Sequence, residues 1–197
     1  MNGGTTNQTF ASEAAIDARP AASNGQLTLL AVLATAGMLF AGFASAYLVR
    51  REGTDWVREP LPRILIFSTM VLLASSVTIE IARSALKRGE AAVALWWSGT
   101  TTVLGLAFLA GQLDAWRQLA ARGVYMPTGP YGSFFYVLTA AHGLHLSGGI
   151  IVLCYLLWRL WRSGAQRKLL DVFRNCATYW HFVGGVWVLL YLVLLRY

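Results

Sequence analysis

Charge is what this sequence has least of. Asp, Glu, Lys and Arg together make up 13% of its 197 residues, about half the share of a soluble domain. With 56% of the residues hydrophobic, there is too little polar surface to face water, and the bilayer becomes the expected solvent. The formal net charge of +7 does not point to nucleic acid. The basic residues fall between apolar runs, where anionic headgroups and membrane topology account for them. Cysteine is scarce too: Cys154 and Cys176 have no CxxC spacing, which argues against a disulfide framework and for small packing residues. Of the nine carboxylates, only Glu80 falls well inside an apolar run, so a proton or ion pathway with acids at depth has one candidate. The sequence shows no nucleotide fingerprint, nucleophile elbow, phosphate loop or zinc pattern. It also shows no internal repeat or paired broken helices of the kind many transporters carry.

What remains is a set of long apolar runs separated by basic or turn-rich stretches. Residues 1–24 are small and polar, without the apolar core of a signal peptide before Leu27, and are expected to form a disordered tail. Residues 25–197 then form one domain with helices at about 27–49, 61–86, 91–119, 131–161 and 175–196. Arg50-Arg51 stops the first, Pro60 and Pro62 open the second, and Lys87-Arg88-Gly89 closes it. Met126 to Pro130 reads as a turn, and Ser163 to Arg174 as a basic loop. The fold class is an all-α membrane protein, a bundle of five transmembrane helices. With the N-terminus cytoplasmic, nine basic residues lie inside and seven outside. The positive-inside rule therefore favours that orientation by a narrow margin.

Imidazoles are the polar groups that stand out at depth. His142 and His145 are i, i+3 on the fourth helix, inside an uncharged run from Val124 to Trp158, and His181 lies on the fifth. Three imidazoles could bind a metal or haem, but such a site wants carboxylate partners. None is near them in sequence. The stronger reading is that each ring bonds a hydroxyl or carbonyl of a neighbouring helix, with Thr139, Ser147, Thr178 and Tyr179 within reach. Glu80 is placed to pair with Arg83 or Ser84 on its own helix face. Gly37, Ala41 and Ser45 recur every four residues on the first helix, and Gly143, Gly149 and Gly184 mark further close approaches, inside the bundle or against a partner. Trp56, Trp116, Trp158, Trp161 and Trp180 are expected as interfacial anchors.

Several of these stretches share an order with a known family. Tyr131-Gly132-Ser133-Phe134-Phe135 is followed by His142-Gly143-Leu144-His145 and by Gly148-Gly149, and the fifth helix carries Tyr179-Trp180-His181-Phe182-Val183 and Trp187. Phe40-Ala41-Gly42-Phe43 and Leu72-Leu73-Ala74-Ser75-Ser76 complete the set. The chain from about residue 27 onward resembles subunit III of the haem–copper respiratory oxidases, in the five-helix form of many bacterial members. Two positions depart from the family pattern. Ala36 stands where members often carry a carboxylate, and Gly184 replaces the aspartate after Phe-Val.

The resemblance implies a subunit without redox centres, in a complex that reduces oxygen during aerobic respiration. Haem and copper would sit in partner subunits, with no cofactor in this chain. Its neighbours would be the catalytic subunit I, subunit II and bound phospholipid, in a bacterial plasma membrane. It would stabilise the catalytic subunit and support proton uptake. The accessory protein of nitric oxide reductases shares much of the pattern and is the nearest alternative. A small membrane transporter is a rival from another class.

Overall fold

Twenty or so apolar residues in helical form cross the ~30 Å hydrocarbon layer, and the chain meets that length five times. The computed structural model describes residues 24–54, 56, 59–164 and 167–195. Among them the helices are α1 (Asn24–Arg50), α2 (Ile64–Lys87), α3 (Ala91–Ala121), α4 (Pro130–Ser163) and α5 (Arg167–Leu195). A single 3-10 turn, Met126–Thr128, precedes α4, and no strand occurs among the described residues. The 24 residues of α2 span about 36 Å at 1.5 Å per residue. The chain is a multi-pass membrane protein.

Helix ends follow local chemistry. Gly89 and Gly123 take φ values of +80° and +81°, a left-handed conformation that glycine adopts without steric cost. The chain then reverses: Glu90 N–H reaches Ala85 O and Val124 N–H reaches Leu119 O, each at 3.0 Å, which satisfies carbonyls that a helix end leaves open. Pro130 sits in the first turn of α4, where its missing N–H costs nothing.

Two boundaries differ from the sequence expectation. Helix α1 starts at Asn24 rather than near Leu27, while residues 1–23 of the expected tail lie outside the described residues. Helix α5 starts at Arg167, so most of the stretch expected as a basic loop up to Arg174 is helical. Leu169 and Phe173, one turn apart, are buried there. That apolar contact holds the charged turns in helical register. The expected end of that helix at 196, and Arg19, Arg58 and Arg196 of the charge tally, also lie outside the described residues.

Helices α2, α3, α4 and α5 close a ring in which each packs on its chain neighbour and α5 returns to α2. Helix α1 stands outside the ring, against α5 and slightly against α4. The core alternates small and large groups. Helix α2 turns Leu65, Ser68, Leu72, Ser75, Ile79 and Ala82 inward. Helix α3 answers with Ala94, Ser98, Thr101, Gly105, Phe108 and Gln112. Small and hydroxyl side chains let helices approach where lipid supplies no hydrophobic drive between them.

Candidate functional site

Polar side chains buried in a bilayer must find partners within the protein, so the hydrogen bonds between helices mark where the sequence has been constrained. The densest set joins α2 to α5. Trp180 Nε1 donates to Ser75 Oγ, and Trp187 Nε1 donates to Thr69 Oγ1, both at 2.9 Å. The two indoles lie seven residues apart, on one face of α5. Each hydroxyl gives its own proton back to its helix, Ser75 to Leu72 O and Thr69 to Leu65 O at 2.6 Å. That leaves a lone pair on each for the indole, and every group is satisfied. Trp180 is therefore not the interfacial anchor its type suggested: it is buried, with its N–H spent inside the bundle.

Further links tie the ring together. The Thr78 and Thr101 hydroxyls share a hydrogen bond of 2.8 Å between α2 and α3. Gln112 Nε2 donates to Thr139 O at 2.6 Å, and Trp116 Nε1 to Thr139 Oγ1 at 3.0 Å, joining α3 to α4. Tyr179 OH on α5 donates to His145 O on α4 at 2.9 Å. Thr139 and Tyr179 were named by sequence as possible partners of the histidines, whereas Thr78, Thr101 and Gln112 were not singled out.

Each of the three histidines has a different environment. His142 is fully buried, with ring centroids of Trp187 at 4.8 Å, Phe108 at 5.5 Å and Phe40 at 6.4 Å. Neither of its ring nitrogens has a hydrogen-bond partner among the described residues. The expected bond to a neighbouring helix is absent because rings, not hydroxyls, surround it. His145 Nδ1 lies 2.8 Å from Ala141 O on its own helix, again in place of an interhelical bond. A ring one turn after a helical carbonyl reaches it without help from another helix.

His181 does bond across helices, but to a carboxylate: its Nε2 is 3.0 Å from Glu80 Oε1. Arg83 Nη1 holds both oxygens of Glu80 at 3.0 and 3.1 Å. The three side chains are between 26% and 42% exposed, and such outward-facing pairs stabilise only weakly in water. Outside the membrane-spanning helices, the exposed Arg88–Glu90 pair beside Gly89 is held by two hydrogen bonds of 2.9 and 3.0 Å. The Arg88 guanidinium keeps the Glu90 carboxyl below its ordinary range, and Glu90 raises Arg88 in turn.

The small residues divide between inside and outside. A Cβ added to Gly149 would meet the Trp180 ring at 3.2 Å, one on Gly143 the Gln112 amide at 3.1 Å, one on Gly184 Ser76 Oγ at 3.6 Å, and one on Gly37 Phe182 at 3.7 Å. Ala41 and Ser45 face outward. Helix α1 turns Ala36, Phe40, Ala44 and Tyr47 inward instead. The tightest approach is one the sequence did not flag, Gly105, where a Cβ would stand 2.7 Å from the Trp180 ring. Cys154 is exposed and Cys176 buried, both free.

No three His, Cys, Asp or Glu side chains come together among the described residues in a way that could hold a metal ion. The polar groups here fix helix positions, and the one titratable cluster, Glu80–Arg83–His181, sits at the bundle's edge.

Comparison with known proteins agrees with this architecture. Residues 52–197, which include all four ring helices, match the family model described as cytochrome c oxidase subunit III. A Mycobacterium tuberculosis protein named "Probable cytochrome c oxidase subunit 3" is 35% identical over 162 residues, 80% of each chain. A cytochrome c oxidase subunit 3 from Thermostichus vulcanus is 32% identical over 179 residues, 85% of each chain. One from Synechocystis is 31% identical over 164 residues, 79% of this chain and 68% of the relative. The ring of four helices, its buried indoles and the match that runs through all of them place this chain in the cytochrome c oxidase subunit III family.

Proposed function

We propose that this chain is the subunit without redox centres of a haem–copper terminal oxidase, held in the plasma membrane with its N-terminus cytoplasmic. It packs against the catalytic subunit I and lies in one complex with subunit II. There it stabilises the catalytic subunit, supports proton uptake and carries bound phospholipid. The observation that carries this reading is the continuous family match across α2–α5, the same helices whose polar groups are spent on one another. Haem and copper belong to the partner subunits in this reading. In support, His142 is walled by aromatic rings, and the carboxylate beside His181 is already engaged by Arg83.

The orientation gives the titratable cluster a place. With the N-terminus inside, the C-terminal end of α2 is also inside, and Glu80 lies seven residues from Lys87, about two turns in from that surface. Its pairing with His181 and Arg83 puts a charged cluster toward the side from which protons are taken up in this reading. The experiment is removal of the chain from its native host, followed by oxygen uptake of the membranes driven by reduced cytochrome c. Oxygen uptake that starts but decays within repeated turnovers, restored by the wild-type chain, is the expected result. Unchanged and sustained uptake contradicts the proposal.

A further inference from the structure

Half-way along α4, the half-buried imidazole of His145 has one ring nitrogen bonded within its own helix and the other, Nε2, without a hydrogen-bond partner among the described residues. His145 Nδ1 is bonded to Ala141 O at 2.8 Å. A carbonyl has lone pairs only, so Nδ1 carries the proton, and in that neutral tautomer Nε2 is the acceptor. The ring is held edge-on by Phe40, with centroids 5.1 Å apart, and lines a groove of about 310 Å3 between α1 and α4. The other walls are Ala31, Val32, Thr35, Ala36 and Leu39. Thr35 spends its hydroxyl proton on Ala31 O at 2.8 Å, so the groove offers acceptors and no donor.

We infer that this groove is an interaction surface for a membrane-spanning helix of a partner subunit. That helix presents a hydrogen-bond donor, a hydroxyl, an amide or a protonated carboxyl, to Nε2 of His145. The inference rests on the reading of the chain as an oxidase subunit, which supplies helices for α1 to meet. Two features favour a helix over a lipid chain. Complementarity is the first: an acceptor aimed into an apolar groove is satisfied by a donor fixed opposite it, and hydrocarbon brings none. The second is access. Helix α1 lies outside the ring, and its exposed Ala31 and Thr35 let a second backbone approach between Val32 and Leu39.

The test is photo-crosslinking in the intact complex, with Leu39 replaced by p-benzoylphenylalanine and His145 unchanged. A covalent adduct to a membrane-spanning segment of a co-purifying subunit is expected. Replacing His145 by Phe in the same chain should lower the adduct yield at least threefold. Adducts to lipid alone, or none, while the haem-bearing subunit still co-purifies, overturn the groove assignment and leave the oxidase reading intact. An adduct yield indifferent to His145→Phe overturns the hydrogen-bond claim. Absence of any haem-bearing subunit from the purified material removes the oxidase reading, and this inference with it.

Discussion

Gly105 has no room for even one carbon. A Cβ there would stand 2.7 Å from the Trp180 ring, and that ring is pinned from its other end by the bond to Ser75. Because the indole cannot swing away without losing its partner, Gly105→Ala is expected to destabilise the purified chain by about 1–3 kcal/mol, seen as a lower thermal midpoint in detergent. An unchanged midpoint would mean the indole is free to move. His142 should respond the other way. Its nitrogens are buried among Phe40, Phe108 and Trp187 without partners, so His142→Phe removes unsatisfied polar atoms while keeping a ring of similar shape. The midpoint should hold or rise, whereas His142→Asn should lower it.

These residues also show how far sequence alone reaches. That His142 is buried was legible from the apolar run around it. That its neighbours are rings was not, since Phe40 and Trp187 are distant in sequence and only packing brings them together. The Glu80–His181 pair spans 101 positions. Sequence reading placed Glu80 correctly beside Arg83 but had no means of finding the imidazole that completes the cluster. Trp180 misled because tryptophan usually marks the interface, while the Ser75 hydroxyl that accepts its N–H lies 105 residues away.

At the scale of the element, the α2–α5 seam rests on two indole-to-hydroxyl bonds. A double-mutant cycle of Ser75→Ala and Trp180→Phe should give a coupling of about 0.5–1.5 kcal/mol. Strict additivity of the two changes would mean the bond contributes nothing. The helix ends make a separate prediction. Gly89→Ala and Gly123→Ala force a Cβ into left-handed backbone, at about 1–2 kcal/mol each. The exposed Arg88–Glu90 pair next to Gly89 adds a pH signature. The carboxyl of Glu90 is depressed in the folded chain, so whatever stability it contributes is present above the unfolded carboxylate value and lost as pH falls through the lower folded one. A difference in midpoint between wild type and Glu90→Gln should therefore appear at neutral pH and vanish in strong acid. Helix count was legible because apolar length and basic punctuation are local signals. The helical start of α5 was not, because Leu169 and Phe173 needed a surface to pack on.

The described residues form a closed ring of four helices with a fifth laid against its side, and many large apolar side chains are exposed on the outer faces of those helices. Many of the polar side chains described on the inner faces of these helices are spent on holding the bundle together. The family match covers the ring. The most direct measurement is purification of the tagged chain from native membranes in mild detergent, with an optical spectrum, subunit identification and gas consumption. A co-purifying haem–copper subunit that consumes oxygen when supplied with reduced cytochrome c is the predicted result. A colourless chain eluting alone, or a haem partner that consumes nitric oxide but not oxygen, would contradict it.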